Sequence, residues 1–515
     1  MPWDGIQGDN RAGFATHTSI LFGPWHRAYL ALYEQIIWTN AQYIAATYPD
    51  DKRATYQAAA LTLRIPYWDW ASHPTMPDVV TNPNIVVNAP TGQKTINNPF
   101  YSFKFNPLPA DGAFPAQYAI SRYHNTLRFP DKNAHTQTNM ANTQLLINGA
   151  SIRDSVYNLI AQQSNYPAFS NTGYTGSLRN GSYNSLESIH NQIHALSGGT
   201  GHMGYIPYSA FDPLFFLHHA NVDRLDAIRG AIYPDSYVEP QTNQEGTYIY
   251  PAGTVEIDVR PFLVGLRTYI YPAGTVEDAN TPLMPFRSDA DGSFHTAITA
   301  RYPKNFGYSY PEIVDWGVDA AQVSSNVRAA FNALYNPTGT KTRRRRSARS
   351  STTSTSSAAA TSTSIRQWFV NLKVNKNSIE KSFQVHFFLG APPTDSASWP
   401  TASNLISTQS VLSKGVSSSV NIPYMGAVPL TRTLTAAQTA RKLASLEPSK
   451  VGPYLKANLQ WRVTTLDGTI VSPMSLADLK ISVVDQTVQK ASKHDQFNLY
   501  SKFTKHEDLV WGNGA

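Results

Sequence analysis

The chain has no cysteine. That excludes disulfides and zinc–thiolate sites, and it fits a reducing compartment. No run of about 18 or more apolar residues occurs, so no membrane-spanning helix is expected. The opening MPWDGIQGDN has neither the charged nor the apolar part of a secretory signal, so residence in the cytoplasm is the expectation. Charge of one sign is scarce outside one place. The net charge is +7, and Arg343–Arg346 with Arg349 supply most of it. The rest is near neutral, so a nucleic-acid partner is not expected. Aromatic side chains, in contrast, are abundant: 12% of 515 residues, with 10 Trp and 28 Tyr. That length has room for two or three domains with a sizeable core.

The chemistry is concentrated in residues 186–224, LESIHNQIHALSGGTGHMGYIPYSAFDPLFFLHHANVDR. His190 and His194 stand four apart, which puts both imidazoles on one face of a helix. A second helix is expected after Asp212-Pro213, running through Phe215 to Asp223 and carrying His218 and His219. Three imidazoles from two antiparallel helices make a facial N₃ set suited to copper or zinc. Upstream, GFATHTSILFGPWHRAYLALYEQ places His17 in a loop and His26 in the first turn of a long helix starting at Pro24-Trp25. Leu30, Tyr33, Ile36 and Ile37 recur there at helical spacing.

These segments resemble the two copper-binding segments of the tyrosinase, catechol oxidase and molluscan haemocyanin family. H-x-x-x-H followed by D-P-x-F-F-x-H-H-x-x-x-D resembles the second copper site, and the loop histidine with W-H-R-x-Y-L resembles the first. The resemblance implies a mainly α catalytic domain, a four-helix bundle around a dicopper centre, with O₂ and a small phenol as substrates. Its ligands would be His17 and His26 on one copper and His190, His194 and His219 on the other. His219 is the histidine four residues before Asp223; His218 would be its neighbour, and the assignment between the two stays open. Glu187 and Asn191 stand where hydroxylating members carry a Glu and an Asn that hold a water to take the phenol proton. Phe215, one turn before His219, would wall the substrate ring.

Two departures stand out. The family carries a further histidine about two dozen residues before the loop histidine, in front of W-D-G, whereas this chain starts at Met1-Pro2-Trp3-Asp4-Gly5. It therefore reads as N-terminally incomplete, with a first site one ligand short. Ala15 stands where many fungal members have a cysteine linked to a copper histidine.

Along the chain, Tyr67-Trp68-Asp69-Trp70 resembles a structural run of the family, with Asp69 anchoring a neighbour. Short helices are expected at 115–127 and 151–163 among loops, and another at 319–335. His73, His124, His135 and His202 read as ordinary histidines. TYIYPAGTVE occurs at 247–256 and again at 268–277, too few copies for a solenoid; a local duplication, an unspliced insert or a tandem hairpin are the readings. Tyr308-x-Tyr310 resembles the motif that closes the catalytic domain, residues 1–335. Residues 336–364, rich in Ser, Thr, Ala and Arg, form a linker that cannot bury a core, with a possible processing site at Arg343–Arg346. Residues 365–515 alternate with period two between turn residues, which predicts a β-sandwich, with a helix at 435–446. This part resembles the β-rich domain that covers the active site in fungal latent enzymes. Its copper-loading C-x-x-C is missing, and Tyr424 is a weak candidate for an aromatic plug.

The function expected from the resemblance is that of a tyrosinase: ortho-hydroxylation of monophenols and oxidation of o-diphenols to o-quinones, feeding melanin-type pigment. Catechol oxidation alone, a reversible oxygen carrier and a chain impaired by its first site are the alternatives. Oligomeric state is open.

Overall fold

The computed structural model describes residues 14–108, 119–176, 181–250, 268–271, 273–290, 292–337, 364–413 and 421–512. The start at Met1–Gly5 and the arginine run at 343–346 lie outside them, as does most of the 336–364 linker.

Among the described residues, seven α-helices form the first domain: α1 (Phe22–Ala46), α2 (Asp50–Leu61), α3 (Thr138–Gln162), α4 (Tyr166–Ser170), α5 (Leu186–Gly198), α6 (Leu214–Ile232) and α7 (Ala320–Tyr335). Helix α5 lies against α3 and α6, and α1 against α6, which makes the expected four-helix bundle; α7 closes over α6 and α3. The local sequence explains where α5 and α6 start. Ser185 and Ser188 form a reciprocal capping box at the N-terminus of α5. At its C-terminus Gly199, at φ +55°, turns the chain away. Helix α6 follows Pro213, and the Asp212 carboxylate accepts the Leu214 N–H at 2.9 Å. Arg128 holds that carboxylate from the other side through Nε and Nη2.

All thirteen residues of α5 are buried. A buried helix carrying Glu, His, Asn and Gln must satisfy each polar group internally, and most of the functional site consists of those bonds. Buried charges also tie the bundle together. Arg27 on α1 pairs with Asp223 (2.6 Å) and Asp226 (3.1 Å) on α6. Tyr308 and Tyr310 both donate to Asp223 Oδ2, which gives the Y-x-Y motif its role. Asp69 accepts from Tyr335 at 2.8 Å and faces Arg224, itself paired with Glu312, so the expected anchoring role of Asp69 is present.

Among the described residues the first domain also holds four two-stranded antiparallel pairs, of which β7 packs on α1: β1 (Asn84–Ala89) with β2 (Gly92–Asn97), β3 (Gln241–Thr242) with β6 (Val276–Glu277), β4 (Thr247–Tyr250) with β5 (Thr268–Tyr271), and β7 (Pro282–Arg287) with β8 (Phe294–Thr296). The β4–β5 pair joins the first four residues of each TYIYPAGTVE copy to the other; the intervening residues 251–267 lie outside the described part. The helix expected at 115–127 is corrected: within the described portion, only Ala119–Arg122 is helical, as a 3₁₀ turn. The helix expected at 151–163 is the second half of the longer α3, and α6 runs two turns past Asp223.

The second domain is a β-sandwich, as expected. Its strands are β9 (Ser364–Asn375), β10 (Phe383–Leu389), β11 (Leu405–Val411), β12 (Pro423–Pro429), β13 (Leu459–Thr465), β14 (Lys480–Gln489), β15 (Leu499–Tyr500) and β16 (Thr504–Gly512). One sheet runs β11-β10-β13; the other runs β12-β9-β14-β15, with β16 also on β14. Trp368, Val370, Leu372, Phe383, Val385 and Trp461 fill the space between them. The helix expected at 435–446 is corrected: only 435–439 is helical, as the end of α8 (Thr431–Thr439), and the next helix, α9 (Pro448–Asn458), begins beyond that range. Arg441, at φ +58°, breaks the first, and Pro448 starts the second where its missing N–H costs nothing.

Strands β11 and β12 pack on α3 and α5. The contact is polar and well paired. Asn148 Oδ1 accepts from Ser407 Oγ (3.0 Å) and Thr408 N (2.9 Å). Asn184 Oδ1 accepts from Ala427 N at 2.8 Å, and Arg432 pairs with Asp154.

Candidate metal centre

Helices α5 and α6 bring three imidazoles to one point. The Nε2 atoms of His190 and His219 are 3.0 Å apart, and those of His194 and His190 are also 3.0 Å apart. The opposite edge of each ring is engaged elsewhere. His194 Nδ1 donates to the Met203 carbonyl at 2.8 Å, and His219 Nδ1 donates to the Phe215 carbonyl at 2.8 Å. His190 Nδ1 lies 3.0 Å from Asn191 Oδ1. A carbonyl only accepts, so the proton must sit on Nδ1 and the lone pair on Nε2. Three lone pairs then face one another, an arrangement that repels itself unless a cation lies among them. Orienting bonds on the far ring nitrogen are what metal-bound histidines carry. The residues therefore fit a metal ion, and an all-imidazole donor set suits copper.

The first segment supplies the opposite wall. His26 Nδ1 donates to the Phe22 carbonyl at 2.7 Å, and its ring stacks on His219 with centroids 5.0 Å apart. His17 lies 5.5 Å from His26 and 6.0 Å from His190, centroid to centroid. All five expected ligands are thus buried in one cluster. Among the described residues the first position has two imidazoles, His17 and His26, against three on the second. Phe22, not singled out in the sequence, packs edge-on to His190 at 5.0 Å. Helical spacing from His26 gives the only signal for it.

His218 belongs to the same cluster, and its ring stacks on His190 at 5.0 Å. Neither of its buried ring nitrogens has a hydrogen-bond partner among the described residues. His219, by contrast, has the carbonyl contact that fixes a ligand's tautomer.

Burial keeps these rings neutral, which is the ligating form. Desolvation pushes His26 and His194 down to about 4. It pushes His190, His218 and His219 well below the usual histidine range, helped by the neighbouring imidazoles.

Glu187, one turn before His190, is buried, and both its oxygens accept from the chain around His17. Its Oε1 accepts the Thr18 N–H at 2.9 Å. Its Oε2 accepts from Thr172 N (2.9 Å) and Thr172 Oγ1 (3.1 Å). Burial raises its affinity for a proton; Lys376 and these hydrogen bonds pull the other way without cancelling the rise. Thr18, Thr172 and Lys376 carry no motif that would single them out in the sequence. Asn191, the other residue expected to hold a water, contacts His190. Phe215 lies flat on the His219 ring, centroids 3.7 Å apart. Tyr424 is buried on β12, and its hydroxyl donates to Gln409 Oε1 at 3.2 Å.

Comparison with known proteins bears on both domains. The family described as the common central domain of tyrosinase matches residues 1–229, and the tyrosinase C-terminal domain matches residues 367–483. A tyrosinase of Neurospora crassa is 29% identical over 98% of this chain and 88% of its own length. One from Podospora anserina is 30% identical over 80% of this chain and 78% of its own. Among solved structures, recombinant mushroom tyrosinase superposes with a TM-score of 0.77 at 23% identity, covering 99% of this chain and 87% of that one. Holo-protyrosinase from Aspergillus oryzae superposes at 0.66 and 19% identity, covering 99% and 87%.

Proposed function

The chain belongs to the tyrosinase family, and on that premise we propose that it is a dicopper phenol oxidase that hydroxylates monophenols ortho to their hydroxyl and oxidises o-diphenols to o-quinones. The observation that carries the proposal is the convergence of three Nε2 lone pairs from His190, His194 and His219, with His26 stacked against them. His190, His194 and His219 would hold one copper, and His17 and His26 would serve the other. His219 is preferred to His218 because its Nδ1 is fixed by a carbonyl.

Bound copper supplies the activation of O₂ and takes up the electrons of the substrate. The chain's own residues position and deprotonate. A phenol has a pKa of about 10 and must lose its proton to approach a metal as the anion. Glu187 is the group to receive it. Its burial raises proton affinity, and Oε1 has a second lone pair beyond the one used by Thr18. Asn191 orients His190 through its Nδ1 edge. Phe215 offers its apolar ring beside His219 as a wall for the substrate ring. Strands β11 and β12, packed on α3 and α5, support a covering role for the second domain over this site.

The test is O₂ consumption and quinone formation by the copper-reconstituted chain, with a monophenol and a catechol as separate substrates. Copper-dependent turnover of both is expected. Turnover of neither, with copper bound, would sink the proposal; turnover of the catechol alone would remove the hydroxylation step.

A further inference from the structure

The loop that carries His17 is held from three sides, and one of the three belongs to the other domain. Thr18 directly follows His17 and sits at φ +57°, in the left-handed region that a β-branched residue avoids. Such a conformation persists only where its surroundings over-determine it. Here the Thr18 N–H is bound by Glu187, and the next residue, Ser19, donates its hydroxyl to Glu277. The third contact is Lys376. Its Nζ donates to Thr18 Oγ1 at 2.7 Å and to Glu245 Oε2 at 2.7 Å.

Lys376 directly follows β9 and is fixed in the sandwich by its own backbone, whose N–H donates to the Ile422 carbonyl at 2.9 Å. Its side chain is only 4% exposed. A lysine is almost never buried to that degree without an opposite charge, and Glu245 of the first domain provides one. Glu187 feels the same ammonium. Other ties between the domains land on α3 (Asn148 to Ser407 and Thr408, Asp154 to Arg432), at 181–184 just before α5 (Gly181 and Tyr183 to Asn371, Asn184 to Ala427) or on α7 (Ser325, Arg328 and Asn332 to residues 494–496). Lys376 lands on the residue next to a candidate copper ligand.

We infer that Lys376 is a positioning residue for the first copper site: the second domain reaches across to fix the turn that aims His17. The inference rests on the dicopper reading above and adds a dependence of that site on the second domain. Loss of the domain removes the ammonium and with it one of three anchors of the His17 loop. The site on α5 and α6 keeps all its own orienting bonds.

The experiment uses the full chain in two variants. Lys376→Met removes the donor and keeps the apolar stem. Lys376→Met/Glu245→Gln also removes the carboxylate that would be left without its cation, so that a general loss of stability is separated from the loss of the Thr18 contact. Hydrogen–deuterium exchange on the metal-free proteins reads the loop directly. In both variants, exchange across residues 14–22 is expected to speed up at least tenfold while α5 stays as protected as in the parent. On the copper-loaded proteins a chelator is expected to strip one copper several-fold faster and leave the rate for the other unchanged. Unchanged exchange at 14–22 in the double variant would overturn the inference. So would equal acceleration over the loop and α5, which would make Lys376 an ordinary tie between domains. The exchange arm stands without copper: a parent chain that takes up no metal would sink the dicopper reading and leave the loop contact to be judged on exchange alone.

Discussion

His190 Nε2 on α5 lies 3.0 Å from His219 Nε2 on α6, and both rings have their Nδ1 edges engaged by a carbonyl oxygen. That pairing separates His219 from its neighbour. His219→Phe is expected to abolish binding of one of two coppers, because it removes a lone pair from the converging set. His218→Phe is expected to leave copper content intact. Elemental analysis of the two reconstituted variants checks this; the reverse result would move the ligand by one residue.

Asn191→Ala takes away the acceptor of His190 Nδ1 and frees the ring to turn. Removing such a partner typically costs ten- to a hundredfold in metal affinity or activity. A tenfold or larger loss of copper affinity is expected, measured by competition with a chelator. An unchanged affinity would mean that the Asn191 contact does not orient the ligand.

Glu187→Gln keeps an acceptor for the Thr18 and Thr172 N–H groups but removes the base. Hydroxylation of a monophenol is expected to fall by about 10²–10⁴ in kcat/KM, the usual contribution of a general base. Oxidation of a catechol, whose hydroxyls are more acidic, should fall by less than about tenfold. Equal losses on both substrates would reduce Glu187 to an anchor of the His17 loop.

The buried imidazoles set a pH dependence of stability. His26 and His194 titrate near 4 in the folded chain, against about 6.5 when unfolded. The unfolded chain therefore binds more protons between these values, and stability falls as pH falls through that window. Each histidine contributes a loss of about 2 kcal/mol at pH 5 relative to pH 8. The metal-free chain should show a falling Tm from pH 7 to 5 by calorimetry. A flat Tm would mean that the rings are not held neutral.

Much of this site was legible because its geometry is local. H-x-x-x-H fixes one helical face, and D-P-x-F-F-x-H-H-x-x-x-D fixes a second helix start and the rings on it. The Y-x-Y motif and Asp69 were readable only as resemblances; their partners, Asp223 and Arg224 with Tyr335, are set by tertiary packing. What stayed hidden joins distant segments: Met203 lends a backbone carbonyl, and Thr18, Thr172 and Lys376 have no period or motif around them. The boundary error at 435–446 has a backbone cause. The left-handed turn at Arg441 stops at Thr439 a helix that composition carries on to 446.

Copper content per chain after reconstitution tests the central claim most directly. The account predicts two coppers per chain, with one lost when His219 is replaced by Phe. A chain that takes up one copper or none under the same conditions would contradict it.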